Sequence, residues 1–217
     1  METISYPLDG KKIGIVVEHK FIPEEIAAYQ TGFSLLGAQV EFISRIYYGD
    51  SRPDQSIFNS DVDPLDQKPW ATPQECYVRK DISKVNLEEY AALLMCANYP
   101  SVRLRYGGLP DPLPPNFNLR AHLQNAPTVT VFSQAMQRKK LIKGFLCHGL
   151  WILTPNPQLL TGRRVVCNEV VAADILNCNA NVDMSSKVIT DDDVVTGYSK
   201  HEVVPYIGAI ANAILRK

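Results

Sequence analysis

The sequence lacks long apolar runs and has almost no net charge, and each absence excludes a class of protein. None of its apolar stretches approaches the ~18 residues that a membrane-spanning helix needs, so we expect no such helix. Its 22 basic and 23 acidic side chains leave a formal net charge of -1, whereas proteins that bind nucleic acid or anionic membranes carry a basic field. We therefore expect neither nucleic acid nor a membrane among its partners.

Cysteine is sparse too, and its positions follow no pattern that binds a metal or builds a disulfide framework. The number of cysteines is odd, and no pair shows the Cys-x-x-Cys spacing of zinc and redox sites. The five are Cys76, Cys96, Cys147, Cys167 and Cys178. We expect them to be reduced thiols in a cytoplasmic protein, with no bound metal. Residues 1–10 hold two acids and no apolar core, so we expect no secretory signal there.

The remaining composition is that of an ordinary globular domain. With 217 residues, of which 46% are hydrophobic and 21% charged, the chain is long enough for a sizeable core, and we expect one domain over residues 1–217. An apolar run at 12–17 predicts a buried strand, Pro23 and Gly37 bound a helix, and residues 39–43 predict the next strand. This strand-helix-strand unit indicates a parallel sheet.

Further elements follow along the chain. Residues 128–140 favour a strand by propensity, but their apolar side chains also share one helical face, and we choose a helix because the next parallel strand needs a crossover before it. Strands are predicted at 75–78, 91–96 and 164–167, a hairpin at 188–196, short helices at 119–124 and 170–177, a last helix from about 202 to 215, and loops at 50–70 and 102–117.

Residues 143–151, KGFLCHGLW, are the stretch of the sequence that says most about function. They predict the end of a buried strand, a sharp turn at Cys147 and the start of a helix. That is the pattern of a nucleophile elbow, with cysteine in the central place and Gly149 two residues on. A helix N-terminus with a nearby donor can lower the pKa of a cysteine thiol toward neutral. The alternative is a buried structural cysteine beside a surface histidine, and this stretch alone does not decide between the two.

With these elements in this order, the chain resembles the ThiJ/PfpI superfamily, whose core is shared with class I glutamine amidotransferases. Residues 146–149, LCHG, are similar to the cysteine elbow of that family. Glu25 stands 12 residues before the glycine that ends its helix, where the family has a carboxylic acid. Residues 90–95, 193–197 and 205–207 also resemble family segments. The resemblance implies a flavodoxin-like three-layer α/β sandwich with a central, mostly parallel sheet.

The resemblance also implies roles for particular residues. These are Cys147 as nucleophile, His148 as general base, Glu25 as an acid that stabilises the thiolate, and Ala97, Asn98 and Gly149 as oxyanion hole and pocket. No organic cofactor is implied, and the protein would be a homodimer or a larger homo-oligomer. Two simpler alternatives stay open. Glu25 can be a first-turn acid that complements the helix dipole, as Glu24 can equally, and His148 can be bonded to a backbone carbonyl.

The implied function is a cysteine-dependent hydrolase, deglycase or glyoxalase-like enzyme that acts on small carbonyl compounds or peptides. Residues 96–98, CAN, replace the Pro-Gly-Gly of the family, and Phe145 replaces a small residue. These departures favour an alternative in which the same fold is a non-catalytic redox or stress-response thiol sensor. An amidotransferase is disfavoured because His201 and Glu202 are adjacent rather than spaced by one residue.

Overall fold

The structure is a computed structural model that describes residues 5–46, 57–62 and 72–217. Its strands are β1 (Lys12–Val16), β2 (Gln39–Ser44), β3 (Ile57–Asn59), β4 (Glu75–Tyr77), β5 (Lys80–Asp81), β6 (Ala92–Met95), β7 (Ile142–Leu146), β8 (Arg164–Val165), β9 (Asn181–Val182), β10 (Val188–Asp191) and β11 (Val194–Gly197). Its α-helices are α1 (Pro23–Leu35), α2 (Pro100–Tyr106), α3 (Leu119–Gln124), α4 (Pro127–Met136), α5 (Glu169–Asn177) and α6 (Val203–Leu215).

Seven of these strands form the main sheet, in the order β10-β11-β7-β6-β1-β2-β5. Every neighbouring pair is parallel except β10 and β11, which pair antiparallel at one edge. The central strands β6 and β7 are buried along their whole length, because a parallel sheet is covered on both faces and its central strands have no solvated side. The mostly parallel α/β architecture predicted from the sequence is confirmed.

Helices pack on both faces of this sheet and give three layers. On one face α1 and α6 contact each other and the strands. On the other face α2, α4 and a 3-10 helix over Gly149–Leu153 pack together, and the ring centroids of Phe132 and Phe145 lie 5.6 Å apart. Among the residues that the structure describes, no helix is long and apolar enough to cross a membrane.

The helices chosen on weak sequence signals are present. The ambiguous stretch at 128–140 contains α4, as predicted, and the short helix at 119–124 is α3. Ser199 and Glu202 form a capping box at the start of a short 3-10 helix, Lys200–Glu202, in which the Ser199 N–H donates to the Glu202 carboxylate. The last helix, α6, follows directly at Val203 and has no side-chain cap of its own.

The structure corrects the loop predicted at 102–117, because its first residues belong to α2. Pro100 begins that helix, where a missing N–H costs nothing, and Gly107 ends it in the left-handed conformation with φ 61°. The strand predicted at 164–167 is also shorter than expected, since only Arg164–Val165 pair, with β9.

The strand predicted at 75–78 exists, but it lies outside the main sheet. It is β4, which pairs antiparallel with β3. Part of the loop predicted at 50–70 is therefore a strand, and most of that loop lies outside the described residues. A bridge between Phe21 and Ser60 attaches this small sheet to the segment that follows β1, which brings residues 57–62 to the carboxyl edge of the main sheet.

Candidate active site

Cys147 directly follows β7 at the carboxyl edge of the sheet, and its backbone is left-handed with φ 57°. Residues other than glycine rarely adopt this conformation, because Cβ then approaches the next carbonyl oxygen. Two hydrogen bonds hold the turn: the Cys147 N–H donates to the Gly197 carbonyl at 2.8 Å, and the Asn168 N–H donates to the Cys147 carbonyl at 3.3 Å. The sharp turn predicted at this position is therefore present and is fixed by two neighbouring segments.

Gly149 lets the chain after the turn approach the end of β6 closely. A Cβ on Gly149 would lie 3.0 Å from the Met95 carbonyl oxygen and 3.4 Å from the Cβ of Phe145. A larger residue would push the 3-10 helix away from the sheet and would tilt the turn that carries Cys147. The glycine thus positions the cysteine through packing.

The surroundings of the Cys147 sulfur favour the protonated thiol. Burial is the largest effect and the Glu25 carboxylate adds to it, while the backbone N–H groups of Asn98 and His148 act in the opposite direction; together they raise the pKa of Cys147 to about 12. The expectation of a thiol pKa near neutral is therefore wrong. Among the five cysteines, which all lie in the described residues, Cys147 is nevertheless the one that is not buried.

Glu25 points into the protein and Glu24 points out to solvent, although both lie in the first turn of α1. The Glu25 side chain is fully buried, and the Ala97 N–H lies 3.0 Å from both of its carboxylate oxygens. Burial raises the pKa of Glu25 to about 7, against the smaller opposing effect of the Ala97 hydrogen bond. An acid that only complements the helix dipole does not need to be buried. The burial of Glu25 therefore favours the alternative in which its carboxyl group acts on the Cys147 thiol.

Ala97 and Asn98 form the turn after β6, and they serve the site differently. The Ala97 N–H donates to the Glu25 carboxylate, so Ala97 positions the acid. The expectation that Ala97 contributes a free donor to an oxyanion hole is therefore not met by this geometry. Asn98 is left-handed, with φ 65°, and its N–H lies close enough to the Cys147 sulfur to lower the pKa of that thiol. Of the two residues, Asn98 supplies the backbone donor to the Cys147 sulfur.

His148 lies between two aromatic rings at the rim of the site. Its ring centroid is 5.1 Å from that of Trp151 and 6.2 Å from that of Tyr99. Burial lowers the pKa of His148, and the side chain of Asn168 partly opposes this. The Nδ1 atom is buried and has no hydrogen-bond partner among the residues that the structure describes. The imidazole is thus held neutral and retains capacity to accept or donate a proton.

Sequence reasoning missed a polar group beside His148, which comes from the start of α5. Asn168 caps this helix, and its side chain favours the protonated imidazole. The next residue, Glu169, accepts a hydrogen bond from the Tyr198 hydroxyl, and this bond lowers the pKa of Glu169. The available signal was local, because Asn168 stands just before the helix predicted at 170–177, in the place of an N-cap residue.

The site gives no sign of a metal centre in the part of the chain that the structure describes. Nowhere in residues 5–46, 57–62 and 72–217 do three or more His, Cys, Asp or Glu side chains converge as metal ligands would. What this site does bring together is a thiol, a neutral imidazole, a buried carboxyl group and two backbone N–H groups. Such a set suits nucleophilic attack by sulfur on a carbonyl carbon.

Solved structures of ThiJ/PfpI and DJ-1 proteins share the fold of this chain. A ThiJ/PfpI domain protein from Brachyspira murdochii superposes with a TM-score of 0.70 at 14% identity, covering 96% of this chain and 98% of its own. DJ-1beta from Drosophila melanogaster gives a TM-score of 0.68 at 10% identity, covering 96% of this chain and 92% of its own.

A two-domain protein from Anabaena variabilis, with DJ-1/ThiJ/PfpI-like and ferritin-like domains, gives a TM-score of 0.69 at 16% identity. The match covers 93% of this chain and 47% of that protein, so this chain spans about half its length. No protein-family model and no curated protein matches the sequence. At such low identities the likeness establishes the flavodoxin-like fold, and any activity has to follow from the site itself.

Proposed function

We propose that this protein is a cysteine-dependent enzyme of the ThiJ/PfpI type, with hydrolase, deglycase or glyoxalase-like activity toward small carbonyl compounds or peptides. The observation that carries the proposal is the left-handed Cys147, a half-buried residue whose sulfur lies beside the N–H groups of Asn98 and His148 and near the buried Glu25. A structural cysteine would gain nothing from this strained conformation, whereas a nucleophile needs it to stand clear of the strand.

The pKa directions constrain how such a reaction would begin. At neutral pH the Cys147 thiol is protonated and burial keeps the imidazole of His148 neutral, so a resting thiolate–imidazolium pair is disfavoured. We therefore propose that His148 takes the thiol proton as the sulfur–carbon bond forms. The carbonyl electron pair moves to oxygen, and the N–H of Asn98 stabilises the oxyanion. For a peptide, the imidazolium would then return the proton to the leaving amine, and water would release the acyl group from sulfur.

Replacing the nucleophile tests the proposal directly. We expect Cys147→Ser to lower both methylglyoxal consumption and peptide hydrolysis by at least about a hundredfold in whichever assay the wild-type protein is active, because a serine hydroxyl is a far weaker nucleophile here. Cys178→Ser is the matched control, since Cys178 is a buried cysteine at the end of α5. Rates that are the same in Cys147→Ser and in the wild-type protein would remove the proposed function.

The thiol-sensor alternative receives less support from this site. Selective oxidation at a sensor cysteine depends on a low thiol pKa, and the pKa of Cys147 is raised to about 12. The five free cysteines support a reducing compartment, such as the cytoplasm, as the place of action. A homodimer or larger homo-oligomer stays a prediction of the resemblance.

A further inference from the structure

Asn98 occupies a backbone conformation that a glycine would adopt without cost. Its φ is 65°, and asparagine tolerates the left-handed region better than most residues but still less readily than glycine. The position matters because the N–H of Asn98 is one of the two backbone groups that stabilise charge on the Cys147 sulfur. Something must therefore hold Asn98 in place.

The side chain of Asn98 is held by two acceptors at once. Its Nδ2 donates to the carbonyl oxygen of Lys20 at 2.8 Å and to Oδ2 of Asp61 at 3.0 Å. Lys20 lies after β1 and Asp61 after β3, so two separate segments hold the same amide. Such a pair of bonds fixes the side chain and thereby restricts the backbone of its own residue.

Asp61 is itself fixed and ionised. Its Oδ1 accepts from the Lys20 ammonium at 3.0 Å and from the Val62 N–H at 3.1 Å, and its own N–H donates to the Phe21 carbonyl at 2.9 Å. Burial opposes ionisation, but the hydrogen bonds from Lys20 and Asn98 outweigh it and lower the pKa of Asp61. The carboxylate is thus a charged acceptor, which forms stronger hydrogen bonds than a neutral one.

We propose that Asp61 is a positioning residue: its carboxylate holds the side-chain amide of Asn98 and thereby keeps the Asn98 N–H directed at the Cys147 sulfur. Its importance for turnover rests on the proposed function, whereas its effect on the thiol does not. A glycine in the turn after β6 could adopt a positive φ without support. In this chain Asn98 stands there instead, and Asp61, which lies outside the main sheet, holds it in that conformation.

The test measures alkylation of Cys147 by iodoacetamide as a function of pH, with peptide mass spectrometry to separate Cys147 from the other four cysteines. We expect Asp61→Ala to slow alkylation at pH 8 about fivefold, because the thiolate loses part of one hydrogen bond and each unit of pKa is a tenfold change in the thiolate population. Asp61→Asn is the matched control, since it removes the charge and keeps an acceptor for the Asn98 amide. It should react at least as fast as the wild-type protein, because loss of a nearby negative charge favours the thiolate.

A glycine at position 98 provides the decisive comparison. In an Asn98→Gly background the additional Asp61→Ala change should not slow alkylation, because glycine needs no side-chain tether to keep φ positive and the loss of the nearby negative charge favours the thiolate. Equal slowing in both backgrounds would overturn the proposal, and so would an Asp61→Ala variant that reacts like the wild-type protein.

A second variant tests the same contact from the other side, in case Asp61→Ala does not fold. Asn98→Ala removes both hydrogen bonds of the amide and leaves the Asp61 charge in place, so it should slow alkylation at least as much as Asp61→Ala. Wild-type rates in Asn98→Ala would overturn the proposal on their own. Because alkylation requires no substrate, these outcomes are independent of whether Cys147→Ser abolishes turnover.

Discussion

At the scale of single residues, the site couples two acids that both prefer to keep their protons. Burial raises the pKa of Glu25 to about 7, and ionised Glu25 in turn helps to raise the pKa of Cys147. Once Glu25 ionises, above about pH 7, its negative charge opposes a thiolate at Cys147.

This coupling predicts how stability depends on pH. The pKa of Glu25 is higher in the folded than in the unfolded protein, so the folded state holds the extra proton between pH 4.5 and about 7 and loses stability as the pH rises through that window. Glu25→Gln lacks this ionisation. We expect the free energy of unfolding of Glu25→Gln, relative to wild type, to rise by about 2 to 3 kcal/mol between pH 5 and pH 8.

Urea unfolding at the two pH values measures this difference. Glu24→Gln is the control, since Glu24 is exposed on the same turn of the helix, and its relative stability should not change with pH by a comparable amount. A Glu25→Gln variant that tracks the wild-type protein at both pH values would mean that Glu25 ionises in the folded protein as it does in water.

At the scale of elements, β7 carries Cys147 after its carboxyl end and a buried charge near its amino end. Lys143 is fully buried, forms an ion pair with Asp193 and donates to the Arg138 carbonyl at 3.0 Å. Arg163 reaches the other oxygen of Asp193 at 2.9 Å. These charges tie β7 to the turn between β10 and β11, and so they fix the strand that presents the sulfur.

Removing Lys143 alone should destabilise the folded protein more than removing Lys143 and Asp193 together. We expect Lys143→Met to lower the free energy of unfolding by about 3 to 5 kcal/mol, because Asp193 is left buried with only part of its compensation, and we expect Lys143→Met combined with Asp193→Leu to regain part of that loss. Urea unfolding of the two variants measures both changes. A double variant that is less stable than Lys143→Met would show that the charges stabilise the strand by more than their mutual compensation.

At the scale of the whole molecule, periodicity and motif spacing predicted most of the fold. The buried runs of β1, β6 and β7 and the proline and glycine that bound α1 are local signals, which a sequence shows directly. The loop predicted at 102–117 failed because clustered prolines and glycines dominate its composition, although Pro100 and Gly107 bound a short helix.

The candidate site could be predicted only where it depends on single residues. Cys147, His148 and Glu25 carry recognisable types and positions, and the structure places them at the same edge of the sheet. Asp61 and Asn168 are polar residues of common types, and they belong to the site only through their contacts, Asp61 with Asn98 and Asn168 with His148. Such contacts join residues 37 positions apart in the case of Asp61 and Asn98, and no pattern along the chain reveals them.

Four of the five cysteines are buried and only Cys147 is partly accessible, so thiol reactivity reports whether the chain is folded. In the native state an aromatic disulfide reagent should modify Cys147 alone, and the other four thiols should react together only when the chain opens globally. Absorbance should therefore rise by one equivalent and then by four as urea is added. A fluorophore on Cys147 alone would therefore need no engineered attachment point.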